Sequence, residues 1–412
     1  VLIRTVDSRG RRAGPESRLS ARRAAVERRL AARRAASSSL YLLVALLVVL
    51  NLTGVVMVLS ASTVLSIGLY HNPWHFFAFQ VLWLIVGSGA FVVALRVDHH
   101  RWRRLARPLM LLTIALLVAV LVPGIGKTVS GATRWVGPSP FRIQPSELAK
   151  FALVLYAADI LDRRSERGER GEWRYQMGPV VIAVLVLAAL VLRQPDMGTT
   201  LVLSFIAVSM LFAAGLPLRP LAVIFGVGVV ASVIEAIRSP YRLERITSFL
   251  HPLAHASDSG YQASQALGAL AHGSVAGDGI GVSAASWGHL PNAYTDFIFA
   301  VIGEETGLVG TVLLSALFLG VALVGVRIAS GARDRFSGLL AAGITAWLAG
   351  QAVLNIGAVV GLLPVTGVPL PFVSFGGSST VIALFAAGVL GNVARQSSSA
   401  PPNAVHTTAV RP

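Results

Sequence analysis

Asp296 stands in the segment from Leu290 to Phe299, where the longest polar stretch of the chain runs into a long apolar helix. A carboxylate at the mouth of a membrane helix is costly to desolvate, which marks it as a candidate functional group. The same position also suits a helix cap, with Thr295 or Asp296 as the capping residue. Position alone leaves both readings open. Two further carboxylates follow, Glu304 and Glu305. If the segment is helical from Asp296 onward, Glu304 points about 80° away and Glu305 about opposite, both more than ~10 Å along the axis. That disfavours a paired-carboxylate site of the glycoside hydrolase kind. Both glutamates are expected to pair with polar groups inside the bundle.

A second constellation runs from Gly131 to Lys150 and contains Arg134, Arg142, Gln144, Glu147 and Lys150. Pro145, then Ser146 and Glu147, predicts a helix start. Lys150 lies one turn in, at i,i+3 from Glu147. An internal salt bridge with snorkelling is one reading. The other is a cationic cradle, in which Arg134, Arg142 and Lys150 face an anionic lipid headgroup; the arginine fork suits phosphate.

Other candidates are weaker. Asp196 occupies an outward turn, where it lines a cavity or, the favoured reading, caps the helix starting near Gly198. Gln351 and Asn355 stand at i,i+4 and are expected to join helices. Gly376 and Gly377, with Ser378 and Ser379, open the last helix; its amides could bind an anion, or the glycines could allow tight packing. Gln262 and Gln265 sit on the long polar loop. His251, His255, His272 and His289 are spaced too irregularly for a zinc site.

The elements that must hold these groups are membrane helices. The chain has 412 residues, 54% of them hydrophobic and 13% charged, and its mean hydropathy is +0.70. Apolar runs long enough to cross a bilayer predict an all-α polytopic membrane protein with about ten spans. They fall near 40–60, 75–95, 107–122, 146–162, 177–193, 197–215, 219–237, 297–327, 337–362 and 376–394. There is no cysteine, so disulfides, thiol nucleophiles and thiolate metal sites are excluded.

Net charge is +16, and half of it lies in residues 1–39, where eleven arginines face Asp7, Glu16 and Glu27. A polybasic stretch before a membrane helix fixes orientation and attracts anionic membrane lipids, in preference to nucleic acid. The apolar run from Leu40 to Leu59 is too long for a secretory signal. With ten spans, the Arg-rich tail, Arg96 to Arg107, Arg163 to Arg174, Arg327 to Arg335 and the tail from Arg395 all share one side. By the positive-inside rule that side is the cytoplasm. The chain then divides into a cytoplasmic tail (1–39), a membrane domain (40–395) and a second cytoplasmic tail (396–412). A long extracytoplasmic loop, 238–296, joins the seventh and eighth spans, and its apolar content predicts short interfacial helices.

Six blocks in register resemble the SEDS (FtsW/RodA) family of bacterial cell-wall polymerases. They are Val56 to Ser62; Arg134 and Trp135 with Ile143 to Lys150; Gln194 to Thr199; Gly260 to Gln262 with the Gly273 to Gly281 run; Thr295 to Phe299 with Gly303 to Glu305; and Leu363 to Phe372 with Ser374 to Ser379. Met57 to Ser60 and Gly303 look more like the septal, FtsW-like branch than the RodA branch. The Pro291-Asn292-Ala293 form and the Arg-rich tail are similar to actinobacterial members. The sequence departs from the pattern at Asn292 and Tyr294, where many members carry glutamate and histidine.

The resemblance implies the SEDS fold and a glycosyltransferase that polymerises lipid II outside the cytoplasmic membrane, at the division septum. Asp296 matches the family's essential aspartate and would be the general base. Substrate contacts are expected from Arg134, Arg142, Gln144, Glu147, Lys150, Asp196, Gln262, Gln265, Thr295, Ser378 and Ser379. A class B penicillin-binding protein (an FtsI-like transpeptidase) is the implied partner, with other divisome membrane proteins. No cofactor is required by the sequence, although a divalent cation, magnesium or manganese, could share the pyrophosphate charge. The competing readings are a lipid II flippase and a RodA-type elongation polymerase. A flippase would need charges through the midplane and usually inverted repeats, and no repeat is visible.

Overall fold

The computed structural model describes residues 15–129, 132–138, 141–166, 173–217, 219, 226, 260–287 and 290–398, with residues 15–36 as backbone helix alone. The helices are α1 (Pro15–Tyr70), α2 (His75–Arg96), α3 (His99–Arg103), α4 (Ala106–Leu121), α5 (Pro145–Glu166), α6 (Trp173–Leu192), α7 (Met197–Ala213), α8 (Tyr261–His272), α9 (Ile298–Ser330), α10 (Arg335–Val359) and α11 (Gly377–Ser398). A two-stranded hairpin, β1 (Lys127–Val129) and β2 (Ala132–Trp135), and a 3-10 turn at Ala284–Trp287 complete the set.

Six helices are long and apolar enough to cross a membrane, and Ala106–Leu121 and Met197–Ala213 are shorter apolar helices. The protein is an integral membrane protein. α5 falls outside that set because it carries Glu147, Lys150, Asp159 and Asp162, yet Ala149 to Leu161 is almost wholly buried. Packed against α4, α6, α7 and α10, it is the shielded centre of the bundle, where charged groups find partners instead of lipid. Nine of the ten expected spans thus correspond to helices among the described residues; the expected 219–237 span lies outside them except for residues 219 and 226.

α1 corrects an expected boundary. The sequence placed a loop at 61–74, but the helix continues to Tyr70. Ser62 returns its hydroxyl to the Val58 carbonyl at 2.6 Å, so the polar run adds no broken turn. At the other end Arg103 bridges Asp159 and Asp162, at 2.7 Å each, and ties α3 to α5.

The loop contacts sort onto two sides. Phe76, at the start of α2, packs on Tyr294 and Phe375. Asp98, past its end, is held by Gln396 at 2.9 Å. A helix of that length separates the two sides by about 30 Å. Arg335 donates to the Ala214 carbonyl at 2.8 Å, which puts the end of α7 on the Asp98 side.

α9 is broken at Gly307, whose φ of 67° and ψ of −165° are not helical. A break leaves carbonyls and amides without intrahelical partners, and in a membrane these must be met by protein. The Gly273 to Gly281 run meets them. Asp278 and Gly279 amides donate to the Glu304 and Glu305 carbonyls, both at 3.0 Å. The Leu308 and Val309 amides donate to the Ser274 and Val275 carbonyls, at 3.0 and 3.3 Å. A Cβ at Gly277 would overlap the Glu305 carbonyl, and one at Gly307 would overlap that of Val275. The glycine run is therefore a strap threaded through a helix break.

Candidate active site

The segment that carries Asp296 turns sharply at Asn292, whose φ of 59° is left-handed, a conformation asparagine tolerates better than most residues. The Thr295 and Phe297 amides close the turn onto the Asn292 carbonyl, at 3.1 and 3.3 Å. α9 then starts at Ile298, one residue after the start of the expected span. Its N-cap position is Phe297, with no side-chain capping bond. Asp296 is half-buried.

This segment rests on α10 and the loop that follows it through consecutive carbonyls. The Phe375 amide donates to the Tyr294 carbonyl at 3.0 Å. Ser374 Oγ donates to the Thr295 carbonyl at 2.6 Å. Asn355 Nδ2 donates to the Asp296 carbonyl and to that of Val368, at 2.8 Å each. Gly367, with a φ of 66°, lies against the carboxylate: a Cβ there would stand 3.6 Å from Asp296 Oδ2. Burial pushes the Tyr294 phenol pKa up, and the Tyr70 and Asp296 charges add to it.

The same loop roofs a small cavity lined by Glu147, Gln351, Pro369 to Phe372, Ser374, Ser379 and Thr380. Lys150 is fully buried. Its Nζ lies 2.8 Å from Glu147 Oε2 and donates to Gln351 Oε1 at 2.8 Å. Gln351 in turn donates to the Pro369 carbonyl at 2.8 Å. Gln351 and Asn355 were expected to join helices; they join α10 to this loop and, through Gln351, to α5.

The expected cradle is corrected in its arrangement. Lys150 does not face outward with the arginines but is neutralised inside. Arg134 is engaged with the turn before α7: it donates to the Gln194 carbonyl at 3.2 Å and to that of Pro195, and it lies 3.9 Å from Asp196. Arg142 is partly exposed, and its Nε is buried without a hydrogen-bond partner. Asp196 caps α7 by accepting from the Thr199 amide at 3.0 Å, the favoured reading.

Gln144 reaches Asp196 Oδ2 at 3.4 Å, and its amide donates to Ser378 Oγ at 3.2 Å. These contacts bring Arg134, Gln144, Asp196 and Ser378 together, with Glu147 and Ser379 in the cavity beside them. Thr295 turns its hydroxyl back to the Asn292 carbonyl at 3.2 Å. Gln262 and Gln265 are half-buried on α8; among the described residues no hydrogen bond ties either to the Asp296 segment. Gly377 packs on the Trp83 ring, where a Cβ would come within 2.6 Å, so the glycine serves packing.

Glu304 and Glu305 are engaged elsewhere, as expected. Glu304 accepts from Ser283 and from the Ala284 and Ala285 amides at 3.1 and 3.2 Å. Glu305 accepts from Ser60 of α1. His272 bonds the Gly268 carbonyl of its own helix at 2.8 Å; His251, His255 and His289 lie outside the described residues. Among the described residues the one group of three His or carboxylate ligands within 4.8 Å is Asp98, His99 and His100, at the far end of α2.

A bundle with a charged, lipid-shielded central helix and a loop-held carboxylate at one end defines a polytopic membrane protein built around a polar site. Comparison with known proteins narrows the class. The model of the FtsW/RodA/SpoVE family, described as a cell cycle protein, matches residues 40–399. A probable peptidoglycan glycosyltransferase FtsW of Mycobacterium tuberculosis is 45% identical over 358 residues, covering 87% of this chain and 68% of the relative. Its counterpart in Geobacter metallireducens is 40% identical over 368 residues, covering 88% and 96%. Among solved structures, a chain from a study of polymerization and crosslinking by a peptidoglycan synthase complex superposes with a TM-score of 0.71 at 28% identity, covering 87% of this chain and 98% of that one. The rod shape determining protein RodA of Thermus thermophilus gives 0.63 at 28% identity, covering 86% and 96%. The chain belongs to the FtsW/RodA/SpoVE family.

Proposed function

We propose that this protein is a peptidoglycan glycosyltransferase of the septal, FtsW-like kind, polymerising lipid II at the outer face of the cytoplasmic membrane. The naming of its 40–45% identical relatives supports the activity. The observation that carries the site is Asp296, half-buried and anchored by its own carbonyl to Asn355 of α10, beside the loop that roofs the cavity lined by Glu147 and Gln351.

In this reading Asp296 accepts the proton of the acceptor sugar 4-hydroxyl as that oxygen attacks the donor's anomeric carbon. The new glycosidic bond forms as the bond from that carbon to the pyrophosphate oxygen breaks. Undecaprenyl pyrophosphate leaves with the bonding pair. Arg142 is assigned to its charge, because the residue is partly exposed and, among the described residues, no protein hydrogen bond holds its guanidinium; preorganised donors at developing charge are strongly stabilising. Arg134 and Lys150 act behind it, holding the turn and the cavity floor. Gln262 and Gln265 are assigned to sugar hydroxyls.

The Asp296 side is the extracytoplasmic side in this reading, since the basic segments Arg96 to Arg107 and Arg327 to Arg335 take the other. The partner is a class B penicillin-binding protein that crosslinks the strands, with other septal membrane proteins around it.

The test is the purified protein with that partner and labelled lipid II, wild type against Asp296→Ala and Asp296→Asn. Loss of glycan strands in both is expected. Strands that persist in both would end the base assignment, and transbilayer movement of lipid II without polymerisation would favour a flippase.

A further inference from the structure

We infer that Asn355 is a positioning residue for the Asp296 carboxylate, a role that rests on the proposed reading of Asp296 as the base. Asn355 is buried on α10, 2% exposed. Its Nδ2 carries two hydrogens, and each has its own carbonyl: Asp296 on one side and Val368 on the other, at 2.8 Å each. One nitrogen therefore staples the segment bearing the carboxylate to the loop beside it. The residue before Val368 is Gly367, which lies against Asp296 Oδ2. The carboxylate's backbone and the floor beneath its oxygen are thus fixed by the same group.

The other two carbonyl anchors, from Ser374 Oγ and the Phe375 amide, come from that loop itself and move with it. Asn355 comes from a helix packed on α5, α7 and α9. One turn earlier, about 6 Å along the axis, Gln351 holds both the Pro369 carbonyl and Lys150 Nζ. α10 therefore sets the register between the carboxylate and the buried lysine with two amides. A simple role in gluing helices together would not require Asn355 to face two carbonyls, neither of them in a transmembrane helix.

Side-chain chemistry makes the role specific. Asparagine supplies two donors from one atom at this reach. Aspartate would set negative oxygen against two carbonyls. Serine supplies one donor, and alanine none. A base displaced by about 1 Å loses on the order of 10²-fold in rate.

The test is steady-state polymerisation of labelled lipid II by the full chain with its transpeptidase partner, read beside thermal unfolding. Asn355→Ala is expected to lower kcat about 10²-fold, with KM within about twofold and most of the unfolding temperature retained. Asn355→Ser is expected to fall between alanine and wild type, and Asn355→Asp at or below alanine. A residue that served only folding would lower the unfolding temperature and leave the kcat of the folded fraction unchanged; that outcome overturns the inference. If Asn355→Ala does not fold, Asn355→Ser decides by the same split. Wild-type kcat in these variants, with Asp296→Asn inactive, overturns positioning alone. Wild-type turnover in Asp296→Asn overturns the base reading.

Discussion

Lys150 and Glu147 form an ion pair at 2.8 Å in which the lysine has no exposed surface. The pair is one turn of α5 long, and Gln351 takes a further lysine hydrogen. Its charge is therefore answered within the protein, at the base of the cavity under the Asp296 loop.

Breaking that pair from one side leaves an unpaired buried charge. Glu147→Ala should cost about 3–5 kcal/mol, read as a lower unfolding temperature in detergent. The double change Glu147→Gln with Lys150→Met should recover most of that stability but not polymerisation. Wild-type stability in Glu147→Ala would contradict the pairing.

The two arginines of the expected cradle should separate by assay. Arg134 holds the Gln194 and Pro195 carbonyls, so Arg134→Ala should lower stability by about 1.5–3 kcal/mol and activity with it. Arg142 has a buried Nε without a partner, so Arg142→Ala should leave unfolding near wild type while turnover falls more than tenfold. Equal effects of the two on unfolding would defeat the distinction.

The strap through α9 should reject side chains at its crossing points. Gly277→Ala and Gly307→Ala each bring a Cβ into a backbone carbonyl and should lower the unfolding temperature strongly. Gly281→Ala, with a φ of 88° and open space around it, meets only the backbone penalty of about 1–2 kcal/mol. Comparable losses at all three would mean that the strap is not tightly seated.

Stability should fall in acid through a cluster on the far side of the bundle. Burial holds the His99 imidazole below its usual 6.5, against the pull of Asn392. Burial raises the Asp98 carboxyl, but hydrogen bonds from Gln396 and His100 outweigh it and hold the group well below its usual range. Asp334 is lowered too, by Ser337, against its burial. All three depressed values carry one sign: their stabilisation is complete above the unfolded pKa and is lost as pH falls through the folded one. The unfolding temperature should therefore begin to drop below about pH 6.5, where unfolded His99 first gains its proton, and drop further in the carboxylate range. His99→Gln should remove the upper part of that slope; an unchanged slope would place it elsewhere.

The sequence displayed the spans because bilayer crossing demands long apolar runs, and it displayed α5 because Pro145 and Glu147 punctuate its start. It also displayed the Glu147–Lys150 pair and the Asp196 cap, which are local in sequence. It did not display the break at Gly307, since the strap that satisfies it lies some thirty residues away (Gly277 to Gly307). Nor did it separate Arg134 from Arg142, because their difference lies in contacts with the Gln194 turn. The role of Asn355 was hidden for the same reason: its spacing from Gln351 announced a shared helix face, but not which carbonyls that face would meet.

The Asp296 segment is gripped by main-chain carbonyls at Tyr294, Thr295 and Asp296. A carbonyl is the same in every residue, so this hold is indifferent to the side chains it carries. Side chains around the aspartate can thereby differ while the address of the carboxylate stays constant. A saturation scan should show, Asp296 itself and the left-handed Asn292 apart, more tolerance along the segment than at the distant residues that grip it.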